Sequence, residues 1–463
     1  MRLPLHEKLD AKNQKNVECP RKMKHFLRRN QMIIKDIKIL DEDFKVREHM
    51  NVLVEDGKFQ SITKGMPDPE GREVIDGSGK FMMPAFYNTH CHVPMTLLRG
   101  YGEGLPLQRW LQERIFPFEA RFSPQYKYWG AKLGALELMK SGCVSITDMY
   151  FDLVDYGRAL FEAGMKANLS NGIVSFDDSA SYFEDRSYQD TINLMQWIRD
   201  NESENDGRIK ADASVHSEYA NREKALREAF EFAAEEGLIV HAHVSETKSE
   251  HEECKSRHGL SPTAYFEKLG AFRSPVIAAH CVWLEEEDID IMISNGAFMS
   301  HNPSSNLKLG SGIAPLKKYF DRGMNITIGT DGASSNNNLN MLEEVNLAAM
   351  LCRGQSMDAN AISAADIIKA ATRGGALAQG RIDCGLIKEG FRADFILFDM
   401  DREHLTPDYD TLANVLFSAQ SSDICMTVCD GEIICKDGEA LFIDEEETIA
   451  KAEESFKKVL ESL

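Results

Sequence analysis

Two kinds of apolar spacing divide the chain. From Met32 the runs are short and interleaved with polar residues: MIIKDIKIL, then NVLVEDGKFQSI, then EVIDGSGKFMMPAF. This texture predicts strands, with Asp56-Gly57 as a hairpin turn, because a two-residue connection needs residues that tolerate a left-handed backbone. The same texture returns near the far end in ADFILFDM and DICMTVCDGEIICKDGEAL, where Asp430-Gly431 and Asp437-Gly438 supply further turns. Two β-rich ends separated by the bulk of the chain predict one small β-sandwich built from both, over residues 32–86 and 385–443.

Between these ends, apolar runs alternate with amphipathic stretches of helical period. CVSITDMY, IKADASVH, GLIVHAHVSE, PVIAAHCVWL, GAFMSHNP and MNITIGTDG are the clearest strand candidates. They recur about every 25 to 50 residues, the room that successive β-α units need, and about eight such units close a barrel. The expected fold class is therefore α/β, a (β/α)8 TIM barrel over residues 87–384 with the composite sandwich beside it. The last stretch, LFIDEEETIAKAEESFKKVLESL, predicts a terminal amphipathic helix, residues 444–463. Its apolar stripe needs cover from the sandwich or from a second subunit of a homo-oligomer.

Polar residues fall at one recurrent place in this pattern. His90, His92, His216, His243, His280 and Asp331 each stand at or just past the C-terminal end of an apolar run. In a parallel barrel those ends converge on one face, so separate segments meet around one site.

Composition narrows what such a site can meet. The chain has 53 Lys+Arg against 74 Asp+Glu, a formal charge of -21, which repels phosphate backbones and anionic lipid surfaces. Nucleic-acid polymer is excluded as a partner and a small molecule is favoured. No apolar stretch is long enough for a membrane span. Residues 1–31 are basic and polar without a signal-peptide core, and read as a loosely ordered extension. None of the 10 cysteines forms a CxxC pair, and Cys91, Cys143, Cys281 and Cys384 sit singly in apolar or Gly-flanked runs. They read as reduced thiols of a cytoplasmic protein.

The strand-end elements carry recognisable chemistry. In THCHVPMTLLRG, His90 and His92 point to the same face because a strand has a period of two, so both imidazoles can share one ion. In HAHVSET, His243 can ligate while Glu246, three residues on, overhangs as an acid or base. His241 reads as a buried histidine satisfied by backbone. AAHCVWL ends on His280, and TIGTDGASSNNNLNMLEE places Asp331 before a Gly/Ser/Asn loop that caps the next helix. One strand-end histidine or one Asp-Gly is ordinarily structural. Four such elements in order are not.

These motifs, with LPLQRWLQERIFPFE (residues 105–119) and HNPSSNLKLGSGIAPL, resemble the amidohydrolase superfamily, in its branch of metal-dependent adenosine-type deaminases and chlorohydrolases. More closely they resemble the 5'-methylthioadenosine/S-adenosylhomocysteine deaminase family, over residues 32 to 445. The resemblance implies one divalent ion per chain, Zn²⁺ with Fe²⁺ also acceptable, held by His90, His92, His243 and Asp331. It implies hydrolytic deamination of an adenine nucleoside: 5'-methylthioadenosine, S-adenosylhomocysteine, 5'-deoxyadenosine or adenosine. Glu246 would protonate the ring nitrogen, Asp331 would serve as base as well as ligand, and His280 would stabilise the developing charge.

The same resemblance makes His216 a substrate contact, Glu119 the acceptor of ribose hydroxyls and Trp110 an apolar wall. HNPSSNLKLGSGIAPL reads mostly as scaffolding. One departure stands out. Where the family pattern carries an arginine after the fourth strand, this chain has Asn171, and a planar bidentate donor for a carboxylate tail is hard to replace. Arg186 matches a second substrate arginine. The rival readings are deamination of a free purine or pterin base such as guanine, hydrolysis of a chlorotriazine or cyclic amide, and a non-catalytic binding protein on the same scaffold.

Overall fold

The computed structural model describes residues 31–105 and 107–463. The extension expected over residues 1–31 lies, Gln31 apart, outside them.

Both chain ends enter one nine-stranded sheet. Met32–Leu40, Val46–Glu55, Lys58–Thr63, Glu73–Asp76 and Lys80–Pro84 come from the start, and Phe395–Asp399, Ile424–Cys429, Glu432–Lys436 and Glu439–Ala440 from the end. The two sets join where Lys80–Pro84 runs antiparallel to Phe395–Asp399, Met82 facing Leu397. The three turns read from the sequence all take left-handed pairs: Asp56 and Gly57 at φ 52° and 76°, Asp430 and Gly431 at 49° and 75°, Asp437 and Gly438 at 50° and 82°. Strand alternation then sorts the side chains between two cores. Met82, Phe395 and Leu397 join Ile34, Val52, Phe59 and Val428 in a cluster of their own. Their neighbours Phe81, Met83, Ile396 and Phe398 face the main core.

The middle of the chain supplies parallel strands. Phe86–Cys91, Cys143–Met149, Lys166–Ser170 and Ile209–Ala211 form a four-stranded sheet. Gly172–Ile173, Ala213–Val215, Val240–Val244, Val276–His280, Phe298–His301 and Asn325–Ile328 form a six-stranded one. Residues 166–173 and 209–215 each contribute a strand to both sheets. At the far edges, the Asp331 amide donates to His90 O at 2.9 Å and Thr89 Oγ1 donates to Ile328 O at 3.0 Å, so the last strand also reaches the first. Helices 124–140, 153–162 and 223–236 pack on these strands, as the helical period in the sequence requires.

The terminal helix spans Glu445–Ser462. It lies chiefly on helix 124–140 and the turn at 93–98, with Phe456 stacked on Phe118 and Lys140 Nζ 2.6 Å from Glu445 Oε2. Among the described residues no helix is long and apolar enough to cross a membrane, and the nine described cysteines form no disulfide.

A buried ionic knot joins the two parts at the start of the parallel strands. Lys166 Nζ sits 2.5 Å from Asp394 Oδ2 and 2.8 Å from Asp430 Oδ1, all three almost fully buried. Tyr87 also donates to Asp394. Burial alone would raise the Asp430 carboxyl, but Lys166, Arg208 and Arg392 hold it far below the usual range. Removing the lysine takes the ion-pair partner from buried Asp394 and leaves Asp430 to Arg208 and Arg392, a loss of about 3–5 kcal/mol. Lys166→Met is expected to lower the denaturant midpoint by that equivalent, and a loss under about 1 kcal/mol would show the knot to be dispensable.

Candidate active site

Four strand ends bring the polar residues of the sequence motifs together. His90 lies within Phe86–Cys91 with His92 directly after it, His243 lies within Val240–Val244, His280 closes Val276–His280, and Asp331 follows Asn325–Ile328. His90 is fully buried, and His243, His280 and Asp331 are nearly so. Backbone strain is concentrated here: His280 at φ 71° and Asp331 at φ 60° are left-handed, a conformation that costs a non-glycine residue about 1–3 kcal/mol. Gly329 permits the close approach behind Asp331, since a Cβ there would lie 2.5 Å from Asn302 Oδ1.

The ring nitrogens are aimed by what holds their other side. His92 Nδ1 donates to Met149 O at 2.6 Å and His243 Nδ1 donates to His216 O at 2.7 Å. A carbonyl only accepts, so in the neutral rings Nε2 keeps its lone pair. His90 Nδ1 is 2.9 Å from His241 Nε2, which makes His241 a buried partner of His90 and corrects the expectation that backbone satisfies it. The freed nitrogens converge. His90 Nε2 and His92 Nε2 each lie 3.3 Å from Asp331 Oδ1, and His243 Nε2 lies 3.3 Å from His92 Nε2. His90 Nε2 is buried without a hydrogen bond, an orphan of the kind a metal ion satisfies.

Electrostatics favour the neutral imidazoles that such a centre needs. Burial pushes His90 down to about 3 and His216 down to about 4, and holds His243 well below the ordinary histidine value. Asp331 runs the other way. Burial would raise it, but His90, His92 and His280 keep it ionised far below the carboxylate range. His280 is opposed by burial yet raised overall by the carboxylates of Glu246 and Asp331. Burial raises Glu246, with the charge of His280 opposing.

A cavity opens over this cluster. His92, His216, His243, Glu246, His280 and Asp331 form its polar side, and Trp110 and Glu119 stand on its walls. Glu119 accepts a hydrogen bond from Tyr150 at 2.7 Å, and burial pushes its carboxyl up to about 7. Asn171 and Arg186 are not among the lining residues. Asn171 Nδ2 donates to Asp190 Oδ2 at 2.7 Å, and Arg186 is paired with Asp152 while its Nε lies 3.9 Å from Asp190.

Residues 81–434 match the model of the Amidohydrolase family. The chain belongs to the amidohydrolase family. It is 38% identical to a 5'-deoxyadenosine deaminase of Methanothermobacter thermautotrophicus, over 87% of this chain and 93% of that one. It is 40% identical to a 5-methylthioadenosine/S-adenosylhomocysteine deaminase of Acetivibrio thermocellus, over 88% and 94%. Among solved structures it is similar to an adenosine deaminase from Xanthomonas campestris with bound zinc, at 28% identity and a TM-score of 0.86, covering 93% of this chain and 98% of that one.

In this amidohydrolase the motif HNPSSNLKLGSGIAPL does more than support the loop. Ser305 donates to Asp331 Oδ2 at 2.6 Å, His280 Nδ1 lies 2.8 Å from Asn306 Oδ1, and Ser311 donates to Glu246 Oε1 at 3.0 Å. Three groups of the site are thus oriented by one segment. A cluster of small hydroxyl and amide side chains beyond what one helix cap uses was the only sequence signal for it. Glu250 was missed altogether. Its carboxylate accepts from the amides of Ser245 at 3.0 Å, Glu246 at 2.8 Å and Thr247 at 3.3 Å, fixing the turn from which Glu246 projects. Glu250→Gln removes part of that acceptor set. It is expected to lower kcat about ten- to a hundredfold with KM and metal content nearly unchanged. A kcat within about twofold of wild type would show that the turn holds without it.

Proposed function

We propose that the protein is a metal-dependent hydrolytic deaminase that converts an adenine nucleoside to the inosine-type product and ammonia. As an amidohydrolase it is a hydrolase of carbon–nitrogen bonds. The nucleosides in view are 5'-methylthioadenosine, S-adenosylhomocysteine, 5'-deoxyadenosine and adenosine. The observation that carries the reading is the position of Glu246: in the cavity, hydrogen-bonded by Ser311, with Oε2 3.8 Å from His280 Nε2. An acid sits beside a raised imidazole, next to the imidazole–carboxylate cluster.

His90, His92, His243 and Asp331 are the residues we assign to one divalent ion. Neutral imidazoles with a carboxylate suit zinc, and the same donors accept Fe²⁺. What the ion supplies when bound is Lewis acidity, which makes water acidic enough to give a nucleophile near neutral pH. The remaining work falls to side chains. Glu246, its carboxyl raised by burial, delivers a proton to the purine ring nitrogen N1 as water adds to C6. Asp331 takes the proton that the water gives up and passes it toward the departing amine. His280, held at Nδ1 by Asn306, presents Nε2–H to the developing negative charge.

Glu119 supports this reading. A carboxylate in the wall, set by Tyr150, is placed to accept from ribose hydroxyls. Trp110 and His216 fit as wall and purine contact. In the same reading, the two parallel sheets close into a (β/α)8 barrel over residues 87–384, a closure supported by the bonds from Asp331 and Thr89 across the last and first strands. The sheet from the two ends folds over its own apolar cluster as the composite sandwich of 32–86 and 385–443. Buried, unpaired cysteines fit a cytoplasmic protein.

The test is a single substitution. Glu246→Gln is expected to retain metal and bind nucleoside while losing roughly 10²-fold or more in kcat, read as ammonia release or loss of adenine absorbance. Near-normal turnover would move the proton transfer to another group. A wild type that releases no ammonia from any of the four nucleosides would overturn the reading itself.

A further inference from the structure

We infer that the cavity discriminates against an anionic substituent at the 5' end of the nucleoside, so that its substrates carry uncharged 5' groups. The inference rests on the deaminase reading and narrows its substrate class.

Away from the imidazole cluster the wall is apolar, made by Trp110, Leu111, Ile115, Phe116, Phe151 and Val174. Its carboxylates are Glu119, Glu246 and Asp331, and among the described residues no lysine or arginine lines it. Cations close by are already engaged. Lys127 Nζ is 2.5 Å from Asp152 Oδ2 and donates to Phe122 O at 2.6 Å. Arg186 pairs with the same Asp152 and approaches Asp190. Lys308 Nζ lies 3.2 Å from Glu103 Oε2 and donates to Asn337 Oδ1 at 2.6 Å.

An anion at the 5' end gives up its hydration in this space and meets an apolar wall and Glu119 instead of a cation. Arg186 is a mostly exposed side chain that does not line the cavity, and to recruit Lys127 the anion would have to displace Asp152. For Lys127, which is nearly inaccessible to solvent, that means breaking a buried pair. An alkyl or thioether group, by contrast, leaves water for an apolar wall and gains from the transfer. The wall therefore reads charge before it reads length.

The experiment compares kcat/KM of the metal-loaded wild type for 5'-methylthioadenosine, 5'-butylthioadenosine and an analogue of the butyl tail that ends in a carboxylate. The two uncharged substrates are expected to agree within about fivefold and the carboxylate to fall at least about tenfold below the butyl compound. Equal values for the butyl and carboxylate tails would overturn the inference, whether both were good or both poor, because length or nothing would then be read. Absence of turnover with all three and with adenosine is a different result: it would sink the deaminase reading and this inference with it.

Discussion

Buried imidazoles whose Nδ1 atoms are already committed are the constraint on which the rest of this structure depends. His92 and His243 give Nδ1–H to backbone carbonyls, and His90 is fixed by His241. Each ring is thereby fixed in direction, and burial keeps His90 and His243 neutral. Lone pairs held this way repel one another and have little water to turn to. Asp331, ionised among them and strained at φ 60°, supplies the negative charge that makes the cluster tolerable and a cation welcome.

The architecture serves that constraint. Parallel strands end on one face, so residues far apart in sequence arrive together without long loops. The carbonyls of Met149 and His216 that orient two of the rings belong to neighbouring strand ends, so strand pairing and ligand orientation are the same event. Serines, Asn306 and Glu250 form a further layer that sets Asp331, His280 and Glu246. The Lys166 knot fixes the opposite end of the strands to the nine-stranded sheet, where it leaves the chemistry undisturbed.

Much of this was legible in the chain because it is local. The His90/His92 pair needs only the strand period, the three Asp-Gly turns need only left-handed tolerance, and the strand-end placement of His243, His280 and Asp331 follows from where apolar runs stop. Pairing of the two ends in one sheet was legible too, from their shared texture. The rest depends on contacts between distant segments. Nothing around His241 says that its partner is His90 rather than backbone. Ser305 and Asn306 look like cap residues until the strand carrying Asp331 and the one carrying His280 are brought beside them. The terminal helix shows an apolar stripe but not which surface covers it, and within the chain helix 124–140 is its main neighbour. Arg186 was assigned to the substrate by resemblance, and its pairing with Asp152, an acid on a different segment, has no signal in the sequence.

The central claim is that His90, His92, His243 and Asp331 gather one divalent ion, and elemental analysis of the purified protein tests it most directly. Wild type is expected to carry close to one zinc or iron per chain, and His243→Ala to fall well below that while remaining folded, because the surrounding hydrogen bonds aim the ligands but cannot hold the ion. A wild-type protein that is fully active without metal, or a His243→Ala variant with undiminished occupancy, would contradict the account.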